Sequence, residues 1–291
     1  MRRASEIGVD VQAMSTLMQL TGVFEGLASM KIAKVKSQVL QSQEFFERLW
    51  GMYSQIRVDG IFHVGRRVMQ EDVNPKELMV IITAEGGFSG DIDQKLIDWT
   101  LTKYDPDKND IIVIGHHGAV QLAQKGVSYK RYFKLPTKDR NINVSPIIKE
   151  VQSYEQTKVF YQTYVSLTIQ DVKSISLSAM VEEQGRKIEK NDKELQDIIT
   201  EETHIFEPST LAVVDHLERS MLQISLSQVI LESKLAQYAS RFRAMSAANM
   251  RAEEAHDDLR MQYNRVRRHV KDERLREIVN GLSASRREAV K

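Results

Sequence analysis

The sequence predicts an α/β protein in which long helices at the two ends of the chain form an antiparallel coiled coil beside a central Rossmann-like domain with a mostly parallel sheet. Apolar residues recur in steps of three and four from Ser209 to about Leu282 and again from Asp10 to Val58. Between these stretches, apolar runs of strand length alternate with amphipathic segments. We therefore expect an N-terminal helix at residues 1–60, an α/β domain at 61–207 and a C-terminal helix at 208–291.

The C-terminal helix is predicted by a seam of apolar residues that runs from Val214 to Val270. Single polar residues interrupt this seam at Gln228, Asn249 and His256. A 3-4 repeat of this length is typical of a coiled coil, and about 74 helical residues at 1.5 Å each make a rod about 110 Å long. Such a rod needs a partner for its apolar seam.

The predicted limits of this helix come from capping residues. Pro208 fits the first turn of a helix, and either Ser209 or Thr210 could cap it. Gly281 is the first glycine after Gly185, and glycine commonly ends helices, so we expect the helix to stop there.

The N-terminal helix carries a matching stripe. Its apolar or small positions are Ala28, Ile32, Val35, Val39, Ser42, Phe46, Leu49, Tyr53 and Ile56, and Leu17, Leu20, Phe24 and Leu27 continue the stripe with a phase slip of one residue. The two helices can cover each other's seams if they run antiparallel. Because the C-terminal helix is longer by about 25 residues, we expect its last turns, with Leu275, Ile278, Val279 and Leu282, to lack an intrachain partner.

The middle of the chain is predicted from buried-type strands and crossover helices. The strands are expected at Glu77–Thr83, Asp110–Gly115 and Tyr129–Leu135, and the helices at Ile92–Tyr104, at Ala119–Gln124 and from Pro146 to about Tyr154. A hairpin is expected from Val159–Ile169 and Ser174–Val181 around Gln170–Lys173, followed by a solvated loop with a short helix at Glu182–Glu202. Strand–helix alternation favours a mostly parallel sheet.

The glycine-rich loop Gly86–Gly90 has two interpretations, a structural turn and a ligand site. A phosphate-binding loop requires Lys and then Ser or Thr after its last glycine, whereas Asp91 and Ile92 follow here. The spacing also differs from dinucleotide-binding and nucleophile-elbow motifs, so the turn is favoured. His116 and His117 are adjacent, but neighbours in sequence rarely face one metal ion, and we expect no metal site or cofactor.

Composition excludes several classes of protein. Acidic and basic residues nearly cancel, giving a net charge of +1, and there is no cysteine for disulfides, thiolate metal sites or a thiol nucleophile. The N-terminus lacks the apolar core of a secretory signal, and no run approaches the roughly 18 apolar residues of a membrane span. We expect a cytoplasmic or peripheral membrane protein that does not span the membrane.

A group of basic residues near the C-terminus has three interpretations. Its members are Arg260, Arg265, Arg267, Arg268, Lys271, Arg274 and Arg276, interleaved with Asp272, Glu273 and Glu277. They could form a solvated helix face or a charged collar that contacts an acidic partner. Nucleic-acid binding is disfavoured because no aromatic residues are interleaved with them.

Three motifs are distinctive in the C-terminal helix, SRFRAM at 240–245, YNR at 263–265 and EIVNG at 277–281. Through them the stretch from Leu231 to Gly281 closely resembles the C-terminal helix of the gamma subunit of F-type ATP synthases, and the resemblance extends over nearly the whole chain. Leu20–Lys36 resembles that family's N-terminal helix, and EGGFSGDID and VIGHHG resemble its first two strand-to-helix turns. The chain departs from the family pattern at Ala84–Glu85, where an Asp-Arg pair is usual, and at Arg268, where glutamine is usual.

This resemblance implies a non-catalytic central-stalk subunit that couples ion-driven rotation to ATP synthesis or hydrolysis. The implied partners are the alpha and beta subunits around the helix end and the epsilon subunit and membrane rotor ring at the α/β domain, on the cytoplasmic face of the cell membrane. The candidate contact residues are Phe24, Met30, Arg260, Arg265, Arg267, Arg268, Lys271, Arg274, Ile278 and Leu282.

Two other functions fit the pattern less well. The first is a nucleotide- or metabolite-binding α/β protein with dimerising helices, which the incomplete phosphate motifs and the lack of a catalytic cluster disfavour. The second is a coiled-coil scaffold that associates with copies of itself. Ligand titration and light scattering would distinguish these two from a shaft made of its own two helices.

Overall fold

A computed structural model describes residues 3–55, 74–137, 139, 142–181, 183–184 and 207–288. The predicted solvated segment Glu182–Glu202, apart from residues 183 and 184, lies outside the described residues, as does the expected end of the N-terminal helix at Ile56–Val58. No helix within the described ranges is long and apolar enough to cross a membrane.

The described elements alternate between helices and strands as the sequence predicts. They are α1 (Ala4–Gln55), β1 (Asn74–Ile82), α2 (Ile92–Leu101), β2 (Asn109–Ile114), α3 (His116–Gln124), β3 (Arg131–Phe133), α4 (Ser145–Val151), β4 (Tyr154–Tyr164), β5 (Gln170–Ser176), α5 (177–181) and α6 (Thr210–Glu288). The chain divides into two compact units. Unit 1 consists of Met1–Leu27 and Arg243–Lys291, and unit 2 is Ala28–Phe242.

Unit 2 contains a five-stranded sheet in the order β3-β2-β1-β4-β5. β1 pairs in parallel with both β2 and β4, with Val80 opposite Ile112 on one side and Val159 on the other. β3 also runs parallel to β2, and only β5 is antiparallel to its neighbour β4. The mostly parallel sheet predicted from strand–helix alternation is therefore confirmed.

Alternating side chains of the strands build two separate cores, one on each face of the sheet, because successive residues of a strand point to opposite faces. On one face Met79 and Ile81 of β1 pack with residues of α2 and α3. On the other face Leu78, Val80 and Ile82 pack with α4 and α6, whose contributions are Ile147, Ile148, Val151, Leu226, Val229 and Ile230. One segment of α6 thus serves as a layer of the α/β domain.

Within unit 2, α1 and α6 pack together as an antiparallel pair. Val35 packs with Leu231 and Leu235, and further along α1 a cluster of Phe46, Trp50 and Tyr53 packs with Met221. The Tyr53 hydroxyl also donates a hydrogen bond to Glu218 Oε1 at 3.1 Å. Residue numbers rise along one helix as they fall along the other, which confirms the predicted antiparallel direction.

In unit 1 the two helices also pair antiparallel. Thr21 Oγ1 donates to Asn249 Oδ1 at 2.9 Å, so this polar residue of the predicted seam has a partner in the opposite helix. Near the start of α1, Gly8 lies against the Tyr263 ring, and a Cβ at Gly8 would lie 3.4 Å from the Tyr263 Cε2 atom. The part-buried polar pair of Thr21 and Asn249 helps to fix the register of the two helices.

The predicted cap of α6 at Ser209 is confirmed, but Pro208, predicted in the first turn, lies before the helix, and the predicted end of the helix is wrong. The Ser209 hydroxyl accepts a hydrogen bond from the Ala212 backbone N–H at 3.3 Å, and α6 begins at the next residue, Thr210. α6 continues through Gly281 to Glu288. Glycine costs only about 1 kcal/mol relative to alanine in a helix, and the Ser, Ala and Arg residues after it can continue the helix.

Three local predictions in the α/β domain also need correction. Residues 177–181, predicted as part of the second hairpin strand, form the short helix α5. α4 ends at Val151, and Tyr154 instead begins β4, where it is fully buried and pairs with Asn74. The hairpin exists, but its turn lies at 165–169, where Ser166 N–H donates to Ile169 O at 2.9 Å. The polar run Gln170–Lys173, predicted as the turn, belongs to β5 because pairing with β4 satisfies its backbone.

Gly115 is expected to be a critical position of the fold. Both Gly115 (φ +102°) and Gly126 (φ +70°) adopt left-handed backbone conformations. A Cβ at Gly115 would lie 2.1 Å from Thr83 O, whereas a Cβ at Gly126 would have no such neighbour within 4 Å. We expect Gly126→Ala to lower the free energy of unfolding by about 1–2 kcal/mol, the conformational cost alone. Gly115→Ala should cost at least about 3 kcal/mol more, because the backbone clash is added.

Urea denaturation of the two variants and the wild type measures this difference. Equal losses for Gly115→Ala and Gly126→Ala would show that the close contact with Thr83 does not determine the conformation of the β2–α3 turn.

Candidate functional site

The carboxyl ends of β1 and β4 mark the place where an open parallel sheet usually binds its ligand. β1 connects through α2 to β2 on one side, while β4 lies on the other side of β1, so the strand order reverses between β1 and β4. Ligands of such sheets bind in the crevice at this reversal. Here the crevice is covered by residues 232–241 of α6, which we call the clamp segment.

A buried carboxylate, that of Asp93, joins four elements at this crevice. Asp93 lies in the first turn of α2 and is 3% exposed. Its Oδ1 accepts hydrogen bonds from Gln162 Nε2 of β4 at 2.7 Å and from the Ala84 backbone N–H at 3.2 Å. Its Oδ2 lies 3.1 Å from Nδ1 of His117 at the start of α3. The charge therefore has partners from every neighbouring element.

Gln162 continues this network into the clamp segment. Its Oε1 accepts hydrogen bonds from the Ser233 hydroxyl and from Gln237 Nε2, the latter at 3.3 Å. Gln237 Nε2 also donates to Ser233 Oγ at 3.0 Å. All three side chains are buried. A buried network whose members are paired is rigid and specifies one arrangement of the elements that it joins.

A buried ion pair lies beside this network. Lys234 Nζ contacts Asp139 Oδ1, with side-chain exposures of 3% and 1%, and it also donates to Pro136 O at 2.8 Å. Lys31 of α1 lies 4.0 Å from the other carboxylate oxygen of Asp139. Removing one member of such a pair would leave a buried charge unpaired, so both charges must be kept or lost together.

The glycine-rich loop is held by the last residues of the clamp segment. Arg241 Nε donates to Gly87 O at 3.1 Å, and its Nη2 donates to Gly86 O at 3.2 Å and Ser89 Oγ at 3.1 Å. The Ser240 hydroxyl donates to Ser89 O at 2.6 Å. A phosphate site needs backbone N–H groups that point to one centre. In this loop carbonyl oxygens point to the arginine instead, which supports the interpretation as a structural turn.

The environment shifts the pKa values of two groups at the crevice. The hydrogen bond to Asp93 raises the pKa of His117 above its ordinary value, with smaller opposing effects from burial and Arg241 and a raising effect from Glu85. Burial lowers the pKa of Arg241, partly offset by Tyr238 and Asp93. His117 therefore favours the protonated form that pairs with Asp93.

The adjacent histidines make different contacts. His117 binds Asp93, whereas the His116 backbone N–H donates to Glu85 Oε2 at 3.2 Å and its side chain is exposed. No group of three or more His, Cys, Asp or Glu side chains that could hold a metal ion occurs among the residues that the structure describes.

The predicted contact residues all lie on exposed surface. Phe24, Met30, Arg260, Arg265, Arg267, Arg268, Lys271, Arg274, Ile278 and Leu282 are exposed in the structure. Every residue from Arg267 to Leu282 is exposed, including Val270, which the seam pattern predicted to be covered. The structure does not bring these residues into one cluster. It displays the basic group and the last apolar residues along a single helix end.

Sequence reasoning missed the clamp segment. Six of its ten residues are polar and bind the α/β domain, namely Glu232, Ser233, Lys234, Gln237, Ser240 and Arg241. The available signal was this concentration of polar residues next to the apolar seam positions Leu231, Leu235 and Tyr238. Two-sided contact of α6, with α1 and with the sheet, explains why polar residues there are buried.

Comparisons with known proteins agree along nearly the whole chain. The family model described as ATP synthase matches residues 4–284. An ATP synthase gamma chain of Halothermothrix orenii is 25% identical, with 94% of this chain and 96% of the relative covered. That of Christiangramia forsetii is 24% identical, with coverages of 98% and 99%. A chain in a cryo-EM structure of the Euglena gracilis mitochondrial ATP synthase (OSCP/F1/c-ring) has a similar fold, with a TM-score of 0.63 at 14% identity, covering 96% of this chain and 94% of that one.

The pair of His117 and Asp93 is expected to make stability depend on pH. Because the folded pKa of His117 is raised, its contribution is fully present below the unfolded pKa of about 6.5 and is lost as pH rises through the folded pKa. We expect the difference in unfolding free energy between the wild type and His117→Gln to be larger at about pH 5.5 than at about pH 8.5.

Chemical denaturation at the two pH values measures that difference. The matched control is His116→Gln, which changes the exposed neighbour. If the difference in unfolding free energy between the wild type and His117→Gln stays constant with pH, or grows toward alkaline pH, the pair of His117 and Asp93 does not make stability depend on pH in this way.

Proposed function

This chain belongs to the ATP synthase gamma family, and from that premise we propose that it is a non-catalytic shaft that couples ion-driven rotation to ATP synthesis or hydrolysis. It is a central-stalk subunit of an F-type ATP synthase. One observation above all supports the mechanical role. α6 is buried against the sheet and against α1 within unit 2, yet all of its residues from 267 to 282 are exposed.

We assign the proposed partners to the two parts of the chain on the basis of the family. The alpha and beta subunits surround the exposed helix end and carry the ATP chemistry, while the epsilon subunit and the membrane rotor ring contact the α/β domain. The complex is peripheral at the cytoplasmic face of the cell membrane. An asymmetric shaft that turns inside a ring contacts each surrounding subunit differently, so each catalytic site has a different conformational equilibrium at a given angle.

The apolar residues of the helix end give a physical reason for enclosure by other subunits. Leu275, Ile278, Val279 and Leu282 are all more than half exposed. Full burial of one such side chain is worth about 1.5–3 kcal/mol. Because apolar contacts are not directional, a hydrophobic sleeve can bury this surface and still let the helix turn.

The basic residues supply contacts that can exchange as the helix turns. Arg265, Arg267, Arg268, Lys271 and Arg274 lie along the exposed part of α6. A partly hydrated ion pair is worth only about 0–1 kcal/mol, so it can form at one angle and break at the next. A guanidinium can also bridge two acceptors, which favours arginine at this position.

Reconstitution tests the proposed function. We expect the purified chain to assemble with alpha and beta subunits at one copy per ring, and ATP to bind the ring subunits but not the isolated chain. The clamp segment, which occupies the crevice of the sheet, is the reason for the second expectation. Stoichiometric, saturable ATP binding by the isolated chain without assembly into the ring would support a nucleotide-binding protein instead.

The collar is tested with Arg267→Ala. If Arg267 makes a weak, angle-dependent ion pair, its loss should lower the turnover of the assembled complex by up to about fivefold, which corresponds to about 1 kcal/mol. Folding and assembly should be unchanged because the side chain is exposed.

Arg276→Ala tests a second residue of the same basic group, and Arg251→Ala, at an exposed arginine outside that group, is the matched control. Arg276 is also exposed, and nine residues at 100° each place it on the face of the helix opposite Arg267. ATPase rates are measured at low and high salt. If Arg267→Ala and Arg276→Ala have the same rate and the same salt dependence as the wild type, the collar is only a solvated face.

A further inference from the structure

We propose that the clamp segment, residues 232–241, is the joint through which torque passes between the α/β domain and α6. This inference rests on the proposed function, in which the membrane rotor ring acts on the α/β domain and the catalytic ring contacts the end of α6. Such a shaft needs a rigid connection between the α/β domain and α6, so that α6 rotates whenever the domain rotates.

The clamp segment holds three separate parts of the α/β domain. Glu232 accepts a hydrogen bond from Thr163 of β4, next to the contacts of Ser233 and Gln237 with Gln162. Lys234 binds the connection between β3 and α4 at Asp139 and Pro136. The remaining contacts, from Ser240 and Arg241, hold the β1–α2 loop.

These six side chains cover a wide arc of the helix. At 100° per residue, the positions 232, 233, 234, 237, 240 and 241 spread over about 200° of the circumference. Contacts on both flanks of the helix resist rotation of α6 against the domain in either direction. A single line of contacts would act only as a hinge.

The chemistry of these contacts also favours a mechanical role. Leu226, Val229 and Ile230 already attach α6 to the sheet by apolar packing one turn earlier. Apolar packing is not directional, whereas hydrogen bonds weaken steeply with distance and angle. A small rotation of α6 would leave the Ser233 hydroxyl and Gln162 Oε1 buried without these partners, so the network opposes slippage more sharply than packing does.

An apolar clamp would have been sufficient for stability alone. Buried ion pairs such as Lys234 with Asp139 are often no more stabilising than well-packed apolar residues of the same volume. These groups are paired with each other, and in the proposed function they take no part in ATP chemistry. Resistance to rotation under load is a property that this directional network provides and that apolar packing does not.

The test uses the assembled complex in sealed vesicles and compares two clamp variants with a control. The double variant Gln162→Leu with Ser233→Ala removes the central network, and Lys234→Met with Asp139→Leu removes both charges of the ion pair. The control is Ser227→Ala, the same substitution on the same helix, because the Ser227 hydroxyl bonds only to Gln223 O of its own helix, at 2.8 Å, among the contacts of the described residues.

We measure ATP hydrolysis, ATP-driven uptake of protons or Na⁺ against an increasing opposing ion gradient, and ATP synthesis driven by that gradient. For the clamp variants we expect hydrolysis within about twofold of the wild type but a ratio of ion uptake to hydrolysis that is lowered at least about fivefold, with the deficit growing as the opposing gradient rises. Ser227→Ala should behave as the wild type, and Ser233→Thr, which keeps the hydroxyl, should remain coupled.

A covalent replacement of the joint gives a second measurement in one protein. A Cβ at Gly90 would lie 3.4 Å from Ser240 Oγ, and the chain contains no cysteine of its own, so Gly90→Cys with Ser240→Cys can form a disulfide across the joint. The positive φ of +65° at Gly90 adds a conformational cost of about 1–2 kcal/mol, as at Gly126. We introduce this cysteine pair into the Gln162→Leu, Ser233→Ala variant and assemble the complex with the disulfide oxidised. The disulfide should restore the coupling of ion uptake to ATP hydrolysis. Reduction of the assembled complex should then abolish coupling again.

The outcomes separate this inference from the proposed function. If the wild type fails to assemble or does not couple, the proposed function itself is wrong. If the wild type couples and the clamp variants couple equally under every opposing gradient, or if the disulfide changes nothing on reduction, the clamp contacts only stabilise the fold and the inference is overturned.

Discussion

The buried carboxylate of Asp93 is the group on which the arrangement at the carboxyl ends of the sheet depends. A charge that is 3% exposed requires partners, and Asp93 has them in the Ala84 N–H, Gln162 and His117. Each partner fixes a different element, and Gln162 passes the constraint on to α6. Most α/β proteins leave this crevice open for a ligand. Here the clamp segment of α6 fills the crevice. A fold that usually binds small molecules therefore holds a long helix instead.

The elements of the fold could be predicted from the sequence to a large extent because each depends on a local pattern. The 3-4 stripes predict α1 and α6, the apolar runs predict β1 and β2, and their order predicts the parallel sheet. Errors occurred where pairing overrides composition. The polar run Gln170–Lys173 forms part of β5 because β4 satisfies its backbone, and Tyr154 begins a strand because its ring is buried in the core.

The candidate site was predicted less completely, for a physical reason. The exposed end of α6 follows from the lengths of two helices, so the sequence predicts it. The contacts of Asp93, Gln162 and Ser233 join residues that are far apart along the chain, and no spacing rule connects them. A prediction from the 3-4 repeat also assumes that a helix is covered on one face only. Because α6 meets α1 and the sheet together, polar residues beside the seam are buried, which a single stripe cannot indicate.

The changing surroundings of α6 along its length imply a gradient of local unfolding within one helix. Amide hydrogens near Leu226 and Ser233 lie in a packed layer and should exchange with solvent only when the whole domain opens, whereas residues 267–282 are all exposed and should exchange through local openings of the helix. In the free subunit we therefore expect the end of α6 to open locally more often than the packed segment does. A surrounding protein that binds it must also supply the free energy of ordering it, which makes the completed helix end a product of assembly.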